Sequence, residues 1–385
     1  MQTLLKTGLL IITLTGFLSC NASNKNRKTD LAFIETSHHT PSKLFIKVAL
    51  LLDTSNSMDG LIDQAKAQLW RIINELSYAK CNGVRPNLLI ALYEYGNDGL
   101  NSREGYIRQV LSFSDDLDDI SKELFSLTTN GGSEFCGQVI QTSLNQLNWG
   151  NNPDDLKLIF IAGNEPFTQG RVHYKDAAVN AKEKGVTVNT IFCGDFNQGI
   201  SGNWKDGADL TNGDYLSINH NQATVYIPSP YDDAILILNK KLNKTYVSYG
   251  RYGREKIALQ EVQDNNASNY SKANAVGRTI SKSSHLYKNS KWDLVDAIDM
   301  EEVVIEELKE TSLPKELKGK SIEEIKAYIK IKSNERKDIK EEIQELNKKR
   351  RAFIAGQQKE NSNGLENAII MAIKSQAQKK NYKWN

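Results

Sequence analysis

The stretch Asp53-Thr54-Ser55-Asn56-Ser57-Met58 places one carboxylate and two hydroxyls at alternate positions, D-x-S-x-S. Side chains at alternate positions can turn toward one point. Hard oxygen ligands of this kind suit Mg²⁺ or Mn²⁺, with water filling the rest of the shell. The same letters also spell a Ser/Asp-rich helix cap, so the setting of the loop decides between the two. Other chemistry is sparse. There is no Ser/His/Asp order, HExxH or P-loop. Two of the five histidines, His38 and His39, sit in a polar stretch with no carboxylate or Cys at ligand spacing. These residues point away from an enzyme.

The elements around the loop give it its place. Leu44–Leu52 is a continuous apolar run, the pattern of a strand buried on both faces. Gly60–Ala79 follows with helical spacing of Leu61, Ala65, Leu69, Ile72, Ile73 and Leu76. Strands are expected over Leu88–Tyr95, Tyr106–Phe113, Leu156–Ala162, Val186–Cys193 and Asp214–Ile218. Helices are expected over Asp115–Leu127 (capped by Ser114), Cys136–Leu147, Val172–Lys184 and Asp232–Leu242. This alternation predicts an α/β fold with a doubly wound, mostly parallel sheet. Ligands of such sheets bind beyond the carboxyl ends of the strands, which is where the D-x-S-x-S loop falls.

Composition narrows the class further. With 49 Lys plus Arg against 47 Asp plus Glu in 385 residues, the formal charge of +2 excludes nucleic-acid binding through overall charge. No run after the N-terminus reaches the roughly 20 apolar residues of a spanning helix, which excludes a polytopic transporter. Residues 1–19 read as a secretory signal, with Lys6 ahead of an apolar core from Leu9 to Leu18. The sequence Phe17-Leu18-Ser19-Cys20 resembles the lipobox of bacterial lipoproteins. That resemblance implies cleavage before Cys20, acylation there, and a lipid-anchored protein of the bacterial cell envelope, periplasm-facing or surface-exposed. A plain signal peptide is the alternative. Residues 20–43 read as a polar tether.

Residues 44–248 resemble the von Willebrand factor A (VWA) domain, a Rossmann-like fold, and its metal-ion-dependent adhesion site (MIDAS). The match to the first family motif gives Asp53, Ser55 and Ser57 as ligands. A second family loop supplies a hydroxyl, and Thr128-Thr129-Asn130-Gly131-Gly132-Ser133 places Ser133 there. A third family loop carries an Asp, but this chain has Ala162-Gly163-Asn164-Glu165-Pro166, with Gly163 at that position and Asn164 or Glu165 as substitutes. Glu134 adds a further carboxylate. The resemblance implies a Mg²⁺ (or Mn²⁺) cofactor and a protein partner whose acidic side chain completes the shell. Blocks such as TNGGSEFCG, IFIAGNEPFTQG and NTIFCGD are similar to those of bacterial envelope VWA proteins.

Cys136 begins a helix and Cys193 ends a strand on the loop side, so a Cys136–Cys193 disulfide is one expectation, and three reduced thiols is the other. Residues 249–310 read as a polar, aromatic connecting region whose tyrosines cover a surface, and residues 311–385 as a helical hairpin or coiled coil. From Ile322 to Phe353 a 3-4 spacing runs through Ile325, Ile329, Ile339, Ile343 and Leu346, interrupted by Lys332, Arg336 and Arg350. Ser321 with Glu324 forms a capping box at its start. Two functions remain. One is a lipid-anchored envelope protein with metal-dependent protein–protein interaction, in an adhesion or scaffold role. The other is a scaffold with a degenerate metal site that binds partners through its C-terminal helices.

Overall fold

The computed structural model describes residues 43–222, 226–357 and 365–384. The expected signal segment, the lipidation site Cys20 and all of the tether except Lys43 lie outside the described residues. In chain order the elements are β1 (Phe45–Asp53), α1 (Asp59–Leu76), β2 (Ala79–Cys81), β3 (Asn87–Tyr95), β4 (Ile107–Ser114), α2 (Leu117–Ser126), α3 (Cys136–Gln146), β5 (Leu156–Gly163), α4 (Tyr174–Glu183) and β6 (Thr187–Cys193). There follow α5 (Phe196–Ser201), α6 (Trp204–Asp209), β7 (Tyr215–Ile218), α7 (Asp232–Asn243), α8 (Gly253–Tyr270), α9 (Lys272–Ser283), α10 (Leu294–Asp299), α11 (Ile322–Gln357), α12 (Leu365–Gln378) and β8 (Tyr382–Trp384).

The main sheet has the order β4-β3-β1-β5-β6-β7, parallel except for the antiparallel edge strand β4. Every residue of β5 is buried, Lys157 included, as a near-continuous apolar run requires of a strand covered on both faces. One face packs on α3, α4 and Trp204, through Val139, Ile140, Leu144 and Ala177. The other packs on α1, α2, α7, α9 and α12, through residues such as Leu61, Leu69, Ile120, Ile235, Ile280 and Ile369. The expected Ser114 cap of α2 is corrected by two residues. The Asp116 carboxylate accepts from the amides of Asp118 and Asp119, and the Ser114 hydroxyl accepts from Asp116.

Residues 249–310 are not a plain connector, since α8, α9 and α10 lie within them. Tyr246, Tyr287 and Trp292 are buried rather than spread over a surface. They border a set of buried charges. Arg278 and Lys282 of α9 bind Asp264 of α8, and Arg278 also binds Asp118 of α2. Burial lowers the Lys282 ammonium to about 8.

The capping box at Ser321 is present. The Ser321 amide donates to the Glu324 carboxylate at 2.8 Å, and the Glu324 amide donates to the Ser321 hydroxyl at 3.2 Å. The seam of α11 faces its own chain, packing on α7, α9 and α10, while α12 packs on α1 and on β5, β6 and β7. Two of the three polar interruptions of the seam are docking points, while Lys332 pairs with Glu335 on the same helix. Arg336 donates to Asp293 and Asp296 at 2.5 Å each and to the Thr245 carbonyl at 2.6 Å, with its guanidinium 4.3 Å from the Tyr246 ring centre. Arg350 donates to Asp232 at 2.8 Å. No helix of the described residues is long and apolar enough to cross a membrane.

Candidate metal centre

Strand β1 lies between β3 and β5, and the chain leaves β1 toward β3 but leaves β5 toward β6, in opposite directions across the sheet. A crevice therefore opens at its carboxyl end, where Asp53 is the last residue. Asp53 is fully buried. Its Oδ1 accepts from the Ser55 amide at 2.7 Å, and its Oδ2 has no hydrogen-bond partner. The hydroxyls of Ser55 and Ser57 lie 3.3 Å apart. The three ligands expected from the first motif are thus brought together.

The loop before α3 is stitched to this one. The Asn130 amide donates to the Thr54 carbonyl at 2.9 Å, and the Asp98 amide donates to the Gly131 carbonyl at 2.5 Å. This path places the half-buried Ser133 in the loop at the crevice and Glu134 inside it, 3 % exposed. Glu134 Oε2 also lacks a partner. The carboxyls of Asp53 and Glu134 meet over Gly96, where an added Cβ would lie 2.8 Å from both side chains. With φ at +79°, Gly96 takes a conformation that also favours glycine. Burial, then the facing Glu134 carboxyl, raises Asp53 well above the usual carboxylate range. Burial likewise raises Glu134.

The third loop behaves differently. Gly163 ends β5, and an added Cβ would fall 2.6 Å from the Tyr95 hydroxyl and 3.1 Å from Asp53 Oδ2. Tyr95 is fully buried and donates to the Ala162 carbonyl at 3.0 Å, so it closes the space a side chain at 163 would need. Asn164 reaches the site instead. Its Nδ2 donates to the Ser57 hydroxyl at 3.1 Å, while its Oδ1 is buried without a partner. Glu165 is exposed and accepts from Gln169 at 3.2 Å. A Gly163→Asp substitution is expected to lower stability by about 1–3 kcal/mol through overpacking against Tyr95. Thermal unfolding of the cation-free protein measures this, and an unchanged midpoint would contradict the packing argument.

Among the described residues the cysteines do not pair. Cys81, Cys136 and Cys193 are all free and buried. Cys136 belongs to the α3 side of the sheet, 3.9 Å from the Tyr95 hydroxyl, whereas Cys193 faces the α1 side. The sheet itself separates them, which is the reason the expected bond is not made. Burial pushes both thiols well above their ordinary value.

Three buried oxygens without donors, on Asp53, Glu134 and Asn164, sit beside two serine hydroxyls. Buried acceptors normally find a donor, and an all-oxygen set of this kind fits a hard divalent cation. No group of three or more His, Cys, Asp or Glu with metal-binding geometry occurs among the described residues; the set depends on hydroxyl and amide oxygens as well as two carboxylates. Glu134 stands closer to the centre of the site than its place in sequence suggests. Gln64 of α1 holds the loop after β7, and its one signal in the sequence is a Gln within an apolar helical stripe.

A mostly parallel sheet with an acidic, hydroxyl-lined crevice at its carboxyl edge defines an α/β domain built to present loops. Residues 47–204 match the family model of the von Willebrand factor type A domain, and the chain carries that domain. No curated protein matches the chain. Among solved structures it is similar to BatB from Bacteroides thetaiotaomicron, at 16% identity over 45% of this chain and 90% of that one, with a TM-score of 0.35. It is also similar to the SpRpn10 VWA domain, at 14% identity over 47% and 99% of the two chains, with a TM-score of 0.34. A third is proximal thread matrix protein 1 from the mussel byssus, described with a zinc-occupied MIDAS motif, at 16% identity over 46% and 44% of the two chains, with a TM-score of 0.33.

Proposed function

We propose that the crevice holds a divalent cation, Mg²⁺ or Mn²⁺, through Asp53, Ser55, Ser57, Ser133, Glu134 and Asn164, and that the chain uses it to bind a protein partner. The observation that carries this reading is the set of unpartnered buried oxygens on Asp53, Glu134 and Asn164. A bound cation would supply a Lewis-acid position for an acidic side chain of the partner. The residues of the chain hold and orient that position: the Ser55 amide fixes Asp53, and Asn164 fixes Ser57. Glu165, exposed at the rim, is left for the partner-facing edge. The lipobox-like end at Cys20 supports a lipid-anchored protein of the bacterial envelope.

Calorimetric titration of Mg²⁺ and Mn²⁺ into the soluble chain, compared with Asp53→Ala, tests the reading. Saturable heat in the wild type that disappears in the variant is expected. Absence of heat in the wild type would overturn it and move the search for a binding surface to the C-terminal helices.

A further inference from the structure

A cavity of about 530 Å³ lies between α1, α9 and the end of α11, with Glu366 of α12 at one side. That size is within the roughly 300–1,000 Å³ usual for small-ligand sites. Residues 47–204, the part matched by the domain family, supply only the α1 wall. Helices α9 and α11 belong to the rest of the chain. Small residues make the room: Ala67 on α1, and Ala273 and Gly277 one turn apart on α9. The Asn74 side chain of α1 donates to the Gly277 carbonyl at 2.9 Å and holds α9 at this distance.

Two buried polar atoms of this wall have no hydrogen-bond partner among the described residues. One is Trp70 Nε1, a donor, and the other is Asn274 Oδ1, an acceptor. Each residue is 1 % exposed. Buried groups of both kinds normally find partners. Asn274 is fixed in place, since its Nδ2 donates to the carbonyls of Lys66 and Ala67 at 2.8 and 3.1 Å. Trp70 follows Ala67 by one helical turn, so the free donor and the free acceptor share one stretch of wall.

The charges that line the cavity are already engaged. Arg71 pairs with Glu366 at 2.9 Å and Arg350 with Asp232 at 2.8 Å. Arg351 pairs with Glu75 at 3.6 Å while its guanidinium stacks 4.3 Å from the Tyr78 ring centre. The Tyr270 hydroxyl donates to the Asp63 carboxylate at 2.7 Å. A charged ligand would have to break into one of these sets. An uncharged ligand with one acceptor and one donor side by side would not.

We propose that this cavity binds a small uncharged ligand that carries a carboxamide on an apolar body. The carboxamide oxygen accepts from Trp70 Nε1, its N–H donates to Asn274 Oδ1, and the apolar body lies over Ala67, Ala273 and Gly277. The proposal is independent of the cation site.

The indole N–H resonances of the ¹⁵N-labelled full chain test it. The chain has five tryptophans, and Trp70→Phe identifies the Trp70 signal. Three probes are titrated: hydrocinnamamide, methyl hydrocinnamate, which lacks the N–H, and the hydrocinnamate anion. The amide is expected to move the Trp70 signal downfield in a saturable way. The ester is expected to bind about fivefold more weakly, as the loss of one hydrogen bond implies, and the anion more weakly still. Ala273→Leu fills the cavity without touching either polar atom. It is expected to abolish the shift without lowering the thermal midpoint. No shift with the amide up to its solubility limit overturns the proposal. So does equal binding of the amide and either other probe, or a Trp70 shift that persists in a folded Ala273→Leu protein. The comparison of the three probes on the wild type decides the matter even if Ala273→Leu does not fold.

Discussion

Arg336→Met is expected to destabilise the protein by roughly 3–5 kcal/mol, the usual consequence of removing one member of a buried ion pair. Arg336 is 3 % exposed and Asp293 is 0 % exposed, so water cannot replace the lost guanidinium. Three elements lose their joint at once. Asp293 caps α10, accepting from the Asp296 amide at 2.9 Å, and accepts from the Val247 amide at 2.6 Å, while Arg336 brings α11 to both carboxylates. Urea unfolding followed by circular dichroism measures the loss. Adding Asp296→Asn to Arg336→Met should return part of it, because one unpaired carboxylate is removed. A single variant within about 1 kcal/mol of the wild type would show that the pair is solvated in solution and contributes only as a surface bridge does.

The second large effect has the opposite sign. Glu134→Gln is expected to stabilise the cation-free protein by about 1–3 kcal/mol at pH 7.5, since it removes one of two facing, buried, incompletely partnered carboxylates. The pH dependence follows from the direction of the shifts. Asp53 and Glu134 both hold their protons to higher pH in the folded chain than in the unfolded one. The folded state therefore binds more protons as pH rises out of the ordinary carboxylate range, and stability falls through that interval. The advantage of Glu134→Gln should shrink at pH 4, where the wild type carries those protons too. The same variant should bind Mg²⁺ more weakly, the familiar conflict between a stable fold and a working site. Unfolding at both pH values, with and without Mg²⁺, decides the matter, and a Glu134→Gln protein less stable than wild type at pH 7.5 without cation would count against it.

What could be read in advance was what is local. D-x-S-x-S needs only five consecutive residues and the strand before them, and β1 and β5 announce themselves as apolar runs interrupted only by Lys47 and Lys157. The parallel α/β architecture followed from their alternation with helices. Glu134 was visible as a carboxylate, but its meeting with Asp53 over Gly96 depends on two separate loops being sewn together through Thr54 and Asp98. Sequence leaves the Cys136–Cys193 bond and the reduced thiols both open because it gives the height of the two residues along the sheet without its two faces. Neighbouring Phe192 and Cys193 point to opposite sides, so a shift of one residue decides whether a bond is within reach. Helix α8 escaped because it buries Gln260, Gln263 and Ala267 in place of a Leu/Ile stripe. The polar gaps in the α11 seam looked like defects in a coiled coil, whereas Arg336 and Arg350 select acidic partners within the chain.

Strand β1 begins at Phe45 and reaches the crevice at Asp53, a climb of about 26 Å at roughly 3.3 Å per residue. Strand β8 ends beside β2, and Lys380, just before it, donates to the carbonyls of Pro153 and Asp155 in the turn that feeds β5 from below. Phe45 and Trp384 are thus both stationed at the pole of the domain opposite its loops. A chain held to a surface by either side of this domain would stand with its crevice facing outward, and the same polarity makes it suited to oriented capture on a sensor chip. A tag joined beyond Trp384 should leave the approach to Asp53 open.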